Sequence, residues 1–100
     1  AAGIALACTE ASIVIAEPAG WDDMKRSLEA GRIEPVGPNP PPTACDALQT
    51  PLVSPLTFGV LKARGARGVA VSEEEVREAV RFAWHECRLK VEPGGAAALA

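Results

Sequence analysis

Glu17, Asp22 and Asp23 place three carboxylates within seven residues, on the stretch Ile13-Val14-Ile15-Ala16-Glu17-Pro18-Ala19-Gly20-Trp21-Asp22-Asp23. The stretch opens as a short β-branched apolar run of the kind that fills a buried strand. After it, Met24 to Ala30 reads as a helix. Ligands collect at the carboxyl ends of strands in open parallel α/β sheets. A carboxylate leaving such a strand, then a Gly turn and two Asp at a helix start, suits a hard cation. The same residues also fit a plainer role. Asp22 and Asp23 can cap the helix and complement its positive end, with Glu17 a solvated loop carboxylate. Spacing alone leaves both readings open.

A second stretch with chemical content is Val91-Glu92-Pro93-Gly94-Gly95-Ala96. Its proline and two glycines end an exit segment and allow close backbone approach to a neighbour or ligand; Glu92 is equally readable as a polar core residue. Elsewhere the chain offers little for catalysis. His85 is the only histidine, and no carboxylate stands at a spacing that would hold it. Ser12, Ser27, Ser54 and Ser72 lack the Gly-x-Ser-x-Gly setting of a nucleophile, and there is no Gly-x-Gly-x-x-Gly or phosphate loop. No catalytic residue is assigned on these grounds.

The elements that must position these residues follow from periodicity and punctuation. Ala1 to Ala11 reads as helix, apolar on nearly every side up to Cys8, as for a helix buried against a sheet. Ser12 to Ala16 reads as the first strand. Met24 and Leu28 share one face of the next helix, and Gly31 stands where a C′ residue would. Arg32 to Pro42, with Pro35, Pro38, Pro40, Pro41 and Pro42, can be neither helix nor central strand. A turn at Cys45 to Gln49 follows. Ser54-Pro55 starts a helix to about Ala63, and Val69 to Val71 is a second short strand. Ser72-Glu73-Glu74-Glu75 is a capping box. It opens the longest helix, to about Lys90, with Val76, Ala79, Val80, Ala83, Trp84 and Cys87 as one core-facing stripe and a charged opposite face. Helix–strand–helix–helix–strand–helix implies an α/β fold with parallel strands. Two strands are too few to close such a sheet, so further strands are expected from other sequence or another chain.

Composition narrows the partners. The chain has 100 residues, 48% of them hydrophobic, and a net charge of −3, with basic residues scattered rather than striped. That balance gives no reason to expect nucleic acid or an anionic membrane as partner. No apolar run approaches the ~20 residues of a membrane span. Cys8, Cys45 and Cys87 are odd in number and far apart, which points to reduced, mostly buried thiols in a cytoplasmic protein rather than a disulfide frame or zinc site. The chain begins and ends inside apparent helices, so it is expected to be one part of a single larger domain, incomplete at both ends.

The motifs also carry a resemblance. "Ile-Ala-Glu-Pro-Ala-Gly-Trp-Asp-Asp", "Pro-Pro-Thr-Ala-Cys-Asp-Ala-Leu" and "Leu-Lys-Val-Glu-Pro-Gly-Gly-Ala" resemble, in order and spacing, segments of serine/threonine dehydratases and serine racemases. These are pyridoxal-phosphate enzymes of the tryptophan-synthase-β type, and with the Val-Ser-Glu-Glu-Glu helix start the resemblance covers essentially the whole chain. It implies fold type II: a partial three-layer domain built on a parallel sheet, with residues 1–100 part of one catalytic domain. It implies a Mg²⁺, Mn²⁺ or Ca²⁺ site made by Glu17, the Trp21 carbonyl and Asp23. It implies a cofactor pocket bordered by Asp46, Ala47 and Glu92. Ala47 stands where the family has a glycine, and Gly94 where it has a hydroxyl residue. The Schiff-base lysine and the glycine-rich phosphate loop are expected upstream of Ala1; Lys25, Lys62 and Lys90 lie outside the lysine motif.

On this resemblance the parent protein eliminates water from L-serine or L-threonine, giving a 2-oxo acid and ammonia. Its partners are an amino-acid substrate and the remainder of the catalytic domain or a homo-oligomer. The 100-residue chain alone is expected to be inactive. The rivals are a racemase or hydroxyaspartate dehydratase of the same fold, a non-catalytic cation-binding module, and an interaction fragment.

Overall fold

The computed structural model describes residues 1–100. In chain order the elements are α1 (Ala2–Ala7), β1 (Val14–Pro18), α2 (Asp23–Ala30), a 3₁₀ turn (Asp46–Leu48), α3 (Pro55–Ala63), β2 (Arg67–Val71), α4 (Glu73–His85) and α5 (Pro93–Ala96). β1 and β2 pair in parallel, from Val14 opposite Arg67 to Pro18 opposite Val71. Parallel neighbours need a long crossover; here it runs through α2, the proline-rich segment, the 3₁₀ turn and α3.

The pleat of β1, with Ile13 just before it, sends alternate side chains into two small cores. Ile13 and Ile15 join Ala5, Met24, Val53 and Leu61 between α1, α2 and α3. Ala16 joins Cys45, Val71, Val76 and Ala97, which ties the 3₁₀ turn to α4 and α5. Gly68 lets α2 lie directly on β2, since a Cβ there would overlap the Lys25 backbone and side chain. The molecule is a slab of 38 × 37 × 17 Å, and only 14 of its 100 residues are buried. Large apolar side chains therefore remain exposed, among them Ile4, Leu6, Leu56 and Leu89. The same thinness corrects the expectation of mostly buried thiols: Cys45 is buried, but Cys8 and Cys87 are exposed. No helix is long and apolar enough to cross a membrane.

Several boundaries differ from the sequence expectation, each for a physical reason. α1 stops at Ala7 rather than Ala11, because the Arg64 guanidinium takes the carbonyls of Cys8 (3.1 Å) and Thr9 (2.6 Å). Only Ala5 of α1 is buried, so the helix is covered on one side, not all round. β1 lies two residues later than expected, and Glu17 is therefore its penultimate residue rather than a carboxylate beyond its end. β2 begins at Arg67, two residues before the expected start.

α4 stops at His85, short of Lys90. Arg88 adopts a left-handed conformation (φ 57°), and the Leu89 amide reaches back to the Ala83 carbonyl at 2.9 Å. This return spans six residues, one more than the 6→1 bond of a Schellman motif, and it sets arginine at a left-handed position where glycine is the usual choice. Of the expected core stripe, Val76, Ala79 and Ala83 are buried, whereas Trp84 is 52% exposed and Cys87 is exposed. The buried line faces Val71 and Ala97; Trp84 lies one residue round the helix and instead flanks a shallow cleft with Val80, Leu89 and Val91.

The capping box is formed as the sequence implies, with the Glu75 amide donating to Ser72 Oγ (3.2 Å) and the Ser72 amide to Glu75 (2.8 Å). Gly31 closes α2 in the left-handed conformation (φ 71°).

Candidate functional site

β1 and α2 carry the acidic cluster between them. Glu17, half-buried near the end of β1, accepts from the amides of Met24 (3.1 Å) and Lys25 (2.8 Å). These are two of the unpaired amides in the first turn of α2. Glu17 thus caps the helix from the neighbouring strand. Asp22, at the N-cap position, makes no capping bond; its carboxylate accepts from the Gly20 amide (3.2 Å) and lies 3.9 Å from the Arg26 guanidinium. The plainer reading is corrected in two parts: Asp22 makes no capping bond, and Glu17 is a half-buried cap rather than a solvated loop carboxylate.

Asp23 has a different environment. It is 1% exposed, and its Oδ2 is buried with no hydrogen-bond partner. Burial pushes the carboxyl groups of both Glu17 and Asp23 above their ordinary range, with smaller repulsion from neighbouring carboxylates. A buried carboxylate oxygen without a donor is satisfied either by a proton or by a cation. No third carboxylate, imidazole or thiol converges here, so further ligands must be carbonyl or water oxygens. The Trp21 carbonyl receives no backbone amide, and each Glu17 oxygen keeps one lone pair after its amide bond. The donors are all hard oxygens, which is the chemistry of Mg²⁺, Mn²⁺ or Ca²⁺ rather than of zinc.

Glu17 and Asp23 share one cleft, of about 530 Å³, with Ala1, Ala2, Ile15, Ala16, Ala47 and Leu48 among its walls. The opposite wall comes from Leu52, Val53 and the hydroxyl residues Ser54 and Thr57. Of the expected cofactor residues, Ala47 therefore faces the same space as the acidic pair. Asp46 and Glu92 do not line it. Asp46 accepts from the Ala47 amide (2.8 Å), and Glu92 is the exposed N-cap residue of α5. The Glu92 segment still reaches the wall, because Gly94 lies against it: a Cβ on Gly94 would make ordinary contact, 3.7 Å, with Ala47 and Leu48.

No lysine lines the cleft. Lys25 pairs with Glu29 (3.0 Å), and Lys62 donates to the Gly31 carbonyl (2.7 Å). The residues present fit one wall of a flat cofactor's site and supply no amine to it. The sequence marked Ser54 only as a helix start and Met24 only as part of one helix face, and it left Thr57 and Val53 unmarked. Nothing local distinguishes these from ordinary cap and core residues.

A family model for pyridoxal-phosphate-dependent enzymes matches residues 1–100. The chain belongs to that family. It is 36% identical over 88 residues to the serine racemase of Dictyostelium discoideum, covering 88% of this chain and 27% of that protein. It is 33% identical over 91 residues to the β-hydroxyaspartate dehydratase of Paracoccus denitrificans, covering 91% of this chain and 28% of that protein. Among solved structures, the T.th. threonine deaminase superposes with a TM-score of 0.84 at 36% identity, over 96% of this chain and 35% of that one. Maize serine racemase superposes with a TM-score of 0.88 at 29% identity, over 98% and 30%. This pyridoxal-phosphate family member therefore has the fold-type-II α/β architecture, and its 100 residues span roughly a quarter to a third of the length of these relatives.

Proposed function

We propose that residues 1–100 are part of one catalytic domain of a pyridoxal-phosphate-dependent dehydratase, which deaminates L-serine or L-threonine to a 2-oxo acid and ammonia. The observation that carries this reading is the family match over the whole chain, together with a single cleft that holds both the acidic pair and Ala47. Bound pyridoxal phosphate supplies the electron sink that acidifies the substrate α-carbon.

This chain's own residues hold and shape the site. Ala47 and Leu48 form a small, flat stretch of wall, and the Glu92-Pro93-Gly94 segment packs behind it. Apolar side chains of Ile15, Met24 and Val53 exclude water from the floor. Glu17, the Trp21 carbonyl and Asp23 are the ligands of a divalent cation, whose charge relieves the burial of Asp23 and ties β1 to α2. The cation acts structurally in this reading, holding the cleft's edge. The free thiols of Cys8, Cys45 and Cys87 suit a cytoplasmic protein. A homo-oligomer, or the rest of the same domain, covers exposed side chains such as Ile4 and Leu6.

The test is an assay of the full-length parent protein with pyridoxal phosphate and either L-serine or L-threonine, in Mg²⁺ or in chelator. Formation of 2-oxo acid, faster with Mg²⁺, is the expected result. D-serine without 2-oxo acid would transfer the reading to a racemase, which the likeness to the Dictyostelium protein also accommodates. Formation of neither product would overturn both readings.

A further inference from the structure

The turn between Glu17 and Asp23 is tied down from several directions. The Ala19 amide donates to Val71 (2.9 Å), the Trp21 amide to Pro18 (2.9 Å), and the Gly20 amide to the Asp22 carboxylate (3.2 Å). A fourth tie comes from outside the turn: Trp21 Nε1 donates to the Pro41 carbonyl at 2.8 Å, across 20 residues. Gly20 makes that approach possible. It has a φ of +85°, and a Cβ there would fall 2.6 Å from Pro41 Cγ. Only a residue without a side chain accepts both conditions.

Pro41 opens onto a short, stiff path. Pro42 follows with a fixed φ. Thr43 then accepts from the Cys45 amide (3.1 Å), and the Ala44 amide donates to Glu73 of α4 (3.1 Å). Cys45 is fully buried, and next to it begins the Asp46–Leu48 turn, whose Ala47 and Leu48 line the cleft. A loosening at Pro41 therefore reaches the cleft wall through few rotatable bonds.

We propose that the Trp21 side chain is a positioning residue that fixes its own carbonyl for the cation through the indole bond to Pro41, and that this bond couples the cation loop to the Ala47–Leu48 wall. The proposal rests on the reading of Glu17, Trp21 and Asp23 as a divalent-cation site. Coupling of this kind is reciprocal: a cation that orders the loop favours cofactor binding against the wall, and the cofactor favours the cation equally. Phenylalanine at position 21 would keep an aromatic ring but lose the donor together with the pyrrole ring, so the Tm in chelator is read beside Ca²⁺ affinity to separate lost packing from the lost hydrogen bond.

The test is a calorimetric Ca²⁺ titration of the full-length parent protein, of its Trp21→Phe variant and of its Asp23→Asn variant. It is combined with the Tm of each in chelator and with pyridoxal-phosphate affinity, from its absorbance, with and without Ca²⁺. Loss of one net hydrogen bond predicts roughly three- to tenfold weaker Ca²⁺ binding in Trp21→Phe. Ca²⁺ should tighten cofactor binding in the wild type and do so less in Trp21→Phe. Should Trp21→Phe not fold, Gly20→Ala, which displaces Pro41 and leaves the indole intact, is expected to weaken Ca²⁺ in the same way. A lower Tm in chelator with wild-type Ca²⁺ affinity and unchanged coupling would make the indole merely structural and overturn the proposal. If Asp23→Asn binds Ca²⁺ like the wild type, the cation reading itself fails, and the proposal with it.

Discussion

Glu17 Oε2 accepts the Lys25 amide proton at 2.8 Å, so a carboxylate on a strand closes the first turn of a helix eight residues later. With the Met24 amide at 3.1 Å on the other oxygen, both lone-pair faces toward the helix are in use. Glu17→Gln leaves a single acceptor and turns an NH₂ toward an amide. We expect a loss of about 1–2 kcal/mol in urea unfolding and faster hydrogen exchange at Met24 and Lys25. Unchanged protection at both amides would show that the cap does not depend on the carboxylate.

Arg88 closes α4 in the left-handed conformation, which costs a residue with a Cβ about 1–2 kcal/mol that glycine does not bear. Arg88→Gly should therefore stabilise the protein by about 1 kcal/mol, and thermal unfolding reads this as a higher Tm. A lower Tm would mean that the arginine side chain makes a compensating contact.

Gly94 and Gly20 should respond in opposite senses. Gly94→Ala places its Cβ in ordinary contact with Ala47 and Leu48 and reduces the freedom of the unfolded chain, for a gain of about 0.4–1 kcal/mol. Gly20→Ala meets the Pro41 ring at positive φ and should cost about 2 kcal/mol or more. Paired denaturant titrations compare them; equal effects would contradict the close approach of Pro41.

Acid sensitivity is expected at the start of α4. The backbone and side-chain hydrogen bonds of Ser72 hold the Glu75 carboxyl below its ordinary range, and Thr43 and Ala44 do the same for Glu73. A lowered folded pKa means that the unfolded chain binds protons first as pH falls. The contribution is complete above the ordinary glutamate value of about 4.3 and is lost as pH drops through the lowered folded values. Ser72→Ala should flatten that part of the stability–pH curve. An unaltered acid limb would remove the capping box from the account.

What was legible in the sequence was local. Ser72 and Glu75 stand three residues apart and need only each other, so the capping box could be read directly. Gly31 as a left-handed helix end and Ser54-Pro55 as a helix start follow the same logic. The family motifs, being contiguous, located Glu17, Asp23 and Ala47, which the fold gathers into one cleft. Misreadings arose where a distant group competes with a local one. Asp22 has capping chemistry, yet the Met24 and Lys25 amides are taken by Glu17 from β1. Trp84 continues the periodic stripe, but periodicity carries no information on what packs opposite. Arg88 hid the end of α4, since a left-handed arginine leaves no mark of the kind glycine does.

The role of Asp23, buried with an unpaired oxygen, as a ligand of a divalent cation is tested most directly by melting. The measurement is the Tm of the full-length parent protein in chelator and in excess Ca²⁺, for the wild type, Asp22→Asn and Asp23→Asn. Ligand at about 100 times its Kd stabilises the folded state by about 2.7 kcal/mol, so the wild type and Asp22→Asn should both show a clear rise. Asp23→Asn should show none, while being as stable as the wild type or more so in chelator, because the buried charge is gone. An equal Ca²⁺-induced rise in all three proteins, or no rise in any, would contradict the assignment.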